Sequence, residues 1–270
     1  MPDMVKRVRV PDLREKKQRG EKIVVLTAYD FAMAQILDRA GVDVLLVGDS
    51  LANVVLGYQN TLPVTLDVMI HHTAAVSRGI RRALLVADMP FLTAQVSMPD
   101  AVRNAGRLLS EGGAAAVKIE GGRPVEDVVR RLVDIGIPVM GHLGLLPQSV
   151  HQLGGYAQQA RGEEAAAELL EQARALEQAG AFSVVLESIP AEVARTVSAE
   201  LAIPTIGIGA GPYCDGQVLV CYDMLGLSQG AVPPFVKRYA DLGAAILEAA
   251  LQYSDDVRSG RFPAPGKEAR

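Results

Sequence analysis

The sequence predicts an α/β protein of the (β/α)8 TIM-barrel class, closed within a single domain, and three observations support this. Continuous apolar runs, rather than alternating ones, return eight times, at 23–28, 44–47, 83–87, 115–119, 137–140, 183–186, 203–206 and 218–222. Such runs suit strands covered on both faces, as those of parallel sheets are. Between them lie alanine-rich stretches with helical spacing, several ending on glycine, a usual helix C-terminal cap. Eight helix–glycine–strand units in 270 residues also match the size of this fold, about 250 residues. A doubly wound sheet is the rival architecture, but eight strands at a regular pitch favour closure. No low-complexity linker or composition break divides the chain. Residues 1–270 are therefore expected to form one barrel domain with a short N-terminal helical segment and a C-terminal helical tail.

The first element, "KRVRVPDLREKKQR" (6–19), interrupts its basic residues with acids and reads as a solvated terminal helix, not a binding patch. "IVVLTA" is the first strand; it ends on Tyr29 and Asp30 and is followed by the helix "FAMAQILDRAG". The second run stops at Asp49 and Ser50. "HHTAAVSRG" lies on the next helix, where His71 and His72 are expected to face solvent. The third run ends on Asp88, ahead of the helix "PDAVRNAGRLLSEGG". The fourth carries Lys118, ends on Glu120 and precedes "VEDVVRRLVDIG". The fifth leads to His142 in "GHLG" and then to "GLLPQSVHQLGGYAQQARG", a long Gly-rich stretch suited to a lid. After the helix "EEAAAELLEQARALEQAG", the sixth run ends on Glu187, and "AEVARTVSAEL" is the helix beyond it. "IGIGAGP" (206–212) looks like a phosphate loop, but its glycines do not fit G-x-G-x-x-G and leave a tight turn.

A net charge of −4 argues against nucleic acid as the main partner. No run approaches the roughly 20 apolar residues that span a bilayer, and the N-terminus lacks a signal-peptide core. Cys214 and Cys221 form neither a disulfide framework nor a metal-ligand spacing. A cytoplasmic protein with no membrane partner is the expectation.

Active sites of this fold sit where strands end, and acids stand there repeatedly. Asp49, Asp88 and Glu120 follow three consecutive strands, about 4.8 Å apart. Unneutralised, they would repel and raise one another's pKa values. A hard divalent cation such as Mg2+, held by one or two carboxylates with water and substrate oxygens, removes that repulsion. An isolated aspartate could instead cap a turn or helix, but three in succession favour the metal. No histidine spacing suits zinc. Lys118 and Glu120, two apart on one strand, share a face. Lys118 could hold a substrate carboxylate, form a structural ion pair, or, less favoured beside acids, act as a Schiff-base amine. Glu187, across the mouth, suits a general base or a loop-bonded glutamate.

As an ordered set, "TAYD", "LLVGDSLANVVLG", "VADMPF", "VKIEGG", "GHLGLLPQSV", "GGYAQQARG", "LESIP", "IPTIGIGAG" and "CDGQVLVCYDMLG" resemble the ketopantoate hydroxymethyltransferase family. The match runs from about residue 24 to about residue 230. The resemblance implies a decameric (β/α)8 barrel using Mg2+ and 5,10-methylenetetrahydrofolate in pantothenate and coenzyme A biosynthesis. It implies metal-site roles for Asp49, Asp88 and Glu120, and substrate contacts from Asp49, Ser50, Asp88, Lys118 and His142. It makes Glu187 the proton acceptor. The implied reaction gives 2-dehydropantoate from 3-methyl-2-oxobutanoate through a Mg-stabilised enolate. A Mg-dependent 2-oxoacid lyase or phosphomutase on a similar barrel is the alternative, and a non-enzymatic ligand-binding barrel is a more distant one.

Overall fold

The computed structural model of the chain describes residues 6–228, 230 and 232–264. Eight strands form a closed parallel barrel in sequence order. They are β1 (Ile23–Thr27), β2 (Val44–Val47), β3 (Leu84–Asp88), β4 (Ala116–Glu120), β5 (Val139–Gly144), β6 (Ser183–Glu187), β7 (Thr205–Ile208) and β8 (Gly216–Leu219). Closure is made by β8 on β1, with Val25 opposite Val218. The strand interiors read as the sequence suggests: β2, β3 and β4 are buried throughout. Boundaries shift where polar residues join the ladder. Asp88, Glu120 and Glu187 are the last residues of their strands rather than the first beyond them, and β5 runs on through His142. The eighth strand was expected at 218–222; it begins at Gly216, and Tyr222 lies in a helix.

The outer helices are α2 (Phe31–Arg39), α4 (Leu66–Gly79), α5 (Met98–Ser110), α6 (Glu126–Asp134), α8 (Glu163–Gln178) and α9 (Ala191–Glu200). Short helices α3 (Leu51–Val54) and α7 (Val150–Leu153) lie within loops. In α5 the buried residues Ala101, Ala105 and Leu108 recur at helical spacing, and Ser97 caps the start by accepting from the Asp100 N–H. Gly144 is required where it stands. Its φ of 94° is left-handed, and an added Cβ would come within 2.2 Å of the Glu187 carbonyl.

The N-terminal helix α1 (Val10–Gln18) corrects an expectation. It is not simply solvated: Leu13 is fully buried, in one core cluster with Ile23, Val25, Val44, Leu46, Leu84 and Val86 from the strands. Lys16 pairs with Asp43 at 2.7 Å, and Lys17 pairs with Asp215 at 2.9 Å. Lys17 also donates to the carbonyls of Ser198 and Ile203. Asp43 and Asp215 each immediately precede a strand, so α1 closes the floor of the barrel. An open floor would leave apolar side chains in water, and the basic residues that read as solvated are its fastenings.

Residues up to Val220 and from Cys221 onward form two compact units. The second contains α10 (Cys221–Met224) and α11 (Leu242–Arg258), joined by backbone bonds from Leu242 N–H to Leu225 O and from Gly243 N–H to Gly226 O. Of the span expected as one domain, the first five and last six residues lie outside the described residues. Among the described residues, no helix is long and apolar enough to cross a membrane.

Leu13→Ala is expected to lower unfolding free energy by about 2–5 kcal/mol, as truncation of buried leucines does, measured by urea denaturation. A loss below about 1 kcal/mol would show that the floor does not depend on this side chain.

Candidate active site

Strand register brings the acids together. Asp88 lies opposite Lys118 across β3 and β4, Glu120 opposite His142 across β4 and β5, and Gly144 opposite Glu187 across β5 and β6. Lys118 and Glu120 alternate with Ala116, which lies in the interior core cluster, so all three face the lumen. Asp49 reaches the same place from the turn after β2. Asp49, Asp88, Lys118, Glu120 and His142 are all buried.

Lys118 is the hub. Its Nζ is 3.0 Å from Asp88 Oδ1 and 3.2 Å from His142 Nδ1. The other oxygen of Asp88 accepts the Asp49 N–H at 3.0 Å, tying β3 to the turn after β2. His142 stands between two acids, with Nδ1 3.4 Å from Glu120 Oε1 and Nε2 3.1 Å from Glu187 Oε2. Ser50 Oγ and Tyr29 OH share a hydrogen bond of 2.9 Å. Glu187 is the most accessible of these acids, its side chain 18% exposed against 3% for Glu120.

Burial works against charge on Lys118, but Asp88, Glu120 and Asp49 outweigh it and hold the ammonium well above the usual lysine range. Burial pushes Glu120 upward; His142, Lys118 and the Gln148 N–H prevail and keep it below the usual carboxylate range. For His142, burial and the Lys118 charge press the pKa down, yet Glu120 and Glu187 raise it to about 9. Lys118 and His142 are 3.2 Å apart, and carboxylates border both. Asp49 is the exception: burial, then the charges of Asp88 and Glu120, drive it well above the carboxylate range.

Asp49, Asp88, Glu120 and Glu187 together face Lys118 and His142, so four carboxylates meet two cations. The surplus is negative, and its least tolerable member is the acid expected to bind a metal. Hard anionic oxygens with too little positive charge suit a divalent cation. Among the described residues, however, no three His, Cys, Asp or Glu side chains are gathered closely enough to hold an ion unaided. Other groups engage each of the expected ligands: Gln148 at Asp49, Lys118 at Asp88, His142 and Gln148 at Glu120. Mg2+ typically needs only one or two carboxylates, with water and substrate oxygens completing its shell, and this site can offer that.

Other expectations are redistributed. Asp30 caps α2 by accepting from the Met33 N–H at 2.8 Å. His71 is exposed as expected, but His72 Nδ1 lies 2.6 Å from the Tyr29 carbonyl. The turn after β7 places Gly209 and Gly211 at φ of 62° and 75°. Gln148 was missed. It is 6% exposed; its amide donates to Asp49 Oδ2 at 2.9 Å and to the Met89 carbonyl at 3.0 Å, and its N–H donates to Glu120 Oε2 at 3.0 Å. A lone amide inside the apolar stretch "GLLPQSV" was the available signal. Tyr156 was missed too; burial and the charges of Asp49, Glu187 and Glu120 raise its pKa.

A family model described as ketopantoate hydroxymethyltransferase matches residues 7–265. The chain is 55% identical over 258 residues to a 3-methyl-2-oxobutanoate hydroxymethyltransferase of Syntrophomonas wolfei, covering 96% of this chain and 94% of that one. It is 57% identical over 257 residues to the protein of that name in Moorella thermoacetica, covering 95% and 96%. Among solved structures, a 2,3-dimethylmalate lyase aligns with a TM-score of 0.61 at 22% identity, covering 97% of this chain and 91% of that one. A phosphonopyruvate hydrolase in complex with oxalate and Mg2+ aligns at 0.63 and 10%, with the same coverage. At such identities these structures show the shared fold alone.

The raised pKa of His142 has a signed consequence. Its charge stabilises the folded state fully below about pH 6.5, the unperturbed value, and that contribution fades as pH rises through about 9. In cation-free buffer, the stability difference between the protein and His142→Gln should be larger at pH 6 than at pH 9.5 by urea denaturation. A pH-independent difference, or a ring that titrates below pH 7 by NMR, would overturn this charge assignment.

Proposed function

The chain belongs to the ketopantoate hydroxymethyltransferase family and is a transferase; we propose that it moves a hydroxymethyl group from 5,10-methylenetetrahydrofolate to 3-methyl-2-oxobutanoate. The product is 2-dehydropantoate, and the step begins pantothenate, hence coenzyme A, synthesis. Sequence identity above one half over nearly the whole chain favours this over a Mg-dependent 2-oxoacid lyase or phosphomutase, for which only the fold speaks. The observation that carries the mechanism is the accessible Glu187 carboxylate, facing a nearly closed set of charged groups across the mouth.

Lys118 is kept as an ammonium, which suits it to the carboxylate of a 2-oxo acid and not to Schiff-base formation, where a neutral amine is needed. Ser50, already hydrogen-bonded to Tyr29, offers a hydroxyl beside Asp49. In this reading Asp49 and Asp88 would hold Mg2+, with Glu120 as the associated acid. When bound, the cation supplies Lewis-acid polarisation of the 2-oxo group, worth several kcal/mol in such reactions. Glu187 takes the C3 proton onto its carboxylate, and the C–H electron pair moves toward the C2 oxygen as the enolate forms. His142, with Nε2 3.1 Å from Glu187 Oε2, orients that base. C3 then bonds to the methylene carbon of the donor; the two C–N bonds of that carbon break, water supplies the hydroxyl, and the proton held by Glu187 and the remaining proton of that water go to the two nitrogens of the departing tetrahydrofolate.

Assembly as a homodecamer belongs to the same proposal. Ile246, Leu247, Leu251 and Val257 along α11 are exposed, which supports contact with further copies. Light scattering should report a mass about ten times that of the chain; a monomer at micromolar concentration would remove the assembly from the proposal.

Hydrogen exchange at C3 of 3-methyl-2-oxobutanoate in D2O should require Mg2+ and be lost on adding EDTA. Glu187→Gln should slow it by at least about 100-fold, the lower end of general-base contributions. Exchange that persists in this variant would remove Glu187 from its role. Failure to form 2-dehydropantoate when methylenetetrahydrofolate is added would remove the assigned reaction.

A further inference from the structure

The segment between β5 and α8 is fastened to both halves of the site. Near its start, Gln148 donates its backbone N–H to Glu120 Oε2 at 3.0 Å and its amide to Asp49 Oδ2 at 2.9 Å and the Met89 carbonyl at 3.0 Å. One residue therefore bridges the ends of β2, β3 and β4. Near its end, the Gln159 N–H donates to the carbonyl of Ser188 at 2.9 Å, immediately beyond Glu187. Ser188 holds a left-handed φ of 47°, and so does Ala160 at 54°, conformations that non-glycine residues keep only when their surroundings impose them. Between the fastenings come α7, then Gly154 and Gly155 at φ of 70° and 128°, with open space where a Cβ would be. These two glycines can turn without meeting a neighbour, and Tyr156 follows them.

Gln148 is nine-tenths buried, and both amide hydrogens are used, but Oε1 has no hydrogen-bond partner. A buried acceptor left idle is unfavourable unless a ligand fills it. It lies on the amide that grips Asp49, the acid with the strongest claim on a cation. An O–H donor arriving there, such as a water in the coordination shell of an ion, would complete it.

We propose that Gln148 is a positioning residue that sets Asp49 and Glu120 for a divalent cation and couples occupation of that site to ordering of residues 150–159 over the mouth. This rests on the cation reading above. The coupling needs no separate sensor. The backbone N–H that begins the segment and the side chain that holds Asp49 belong to one residue, so fixing the carboxylates fixes the segment's root. A glutamate at this position would bring another carboxylate and no donor; a methionine keeps length and apolar bulk but neither donates to Asp49 nor offers the idle oxygen.

The test uses the full-length protein with Mg2+ as the probe. Calorimetry gives Mg2+ affinity in the presence of 3-methyl-2-oxobutanoate, and hydrogen–deuterium exchange follows the backbone amides of 150–159. In the unmodified protein, saturating Mg2+ should slow exchange in that segment. Gln148→Met should weaken Mg2+ by roughly tenfold or more, the usual loss when a partner of a metal ligand is removed. At saturating Mg2+ it should also lose the protection of 150–159. A purely structural glutamine would instead raise exchange in that segment equally with and without Mg2+, and that result overturns the proposal. So does unmodified protein that binds Mg2+ while 150–159 stays unresponsive, a result that leaves the cation reading standing. Unmodified protein that binds no Mg2+ overturns both. The measurement on unmodified protein decides the question even if the variant does not fold.

Discussion

The mouth of this barrel depends on one buried ammonium. Lys118 lies 3.0 Å from Asp88 and 3.2 Å from His142, and without it three strand ends would present only negative charge to one another. Removing one partner from a buried ion pair is typically far more damaging than the pair is beneficial, because an uncompensated charge remains in the interior. The same interaction has a chemical result. The surrounding carboxylates favour the ammonium form of Lys118, and in the proposed reading that suits it to an anion more than to an imine.

The neighbouring charges form a graded series. Asp88 and Glu120 are matched by Lys118 and His142, whereas Asp49 has chiefly a neutral amide for company and resists ionisation. Glu187 stands at the edge with partial access to solvent. In the proposed reading, carboxylates of one type thereby acquire different work: matched acids hold the framework, the unmatched one would take a cation, and the accessible one would take a proton. Environments that push like groups apart are how acid and base roles are assigned within a single site.

Floor and mouth are separate in this molecule. At the floor, Leu13 enters the core while Lys16 and Lys17 bind Asp43 and Asp215; these pairs fasten a helix and leave nothing for chemistry. At the mouth, the charges are more deeply buried and incompletely matched. This division between a stabilising end and a reacting end is general for (β/α)8 barrels. It also explains how lyases and hydrolases at 10–22% identity share the architecture while function is carried by the residues at the strand ends.

The sequence by itself determined the number and order of the strands, because parallel strands covered on both faces must be continuously apolar. It also determined which acids stand at their ends, since each interrupts such a run. Asp49, Asp88, Lys118, Glu120, His142 and Glu187 were all legible in this way, and the ordered motifs around them gave the family. Only the tertiary structure decided who meets whom. Lys17, read as solvated, binds Asp215 at the floor, while Lys118, read as facing the lumen, binds Asp88 at the mouth. Asp30 and Asp49 both end strands; the first caps a helix and the second enters the site. Gln148 could not be found from strand periodicity, because it lies in a loop and reaches Asp49 from 99 residues away. Register and closure bring such partners within hydrogen-bond distance, and a one-dimensional pattern holds no record of distances across a barrel.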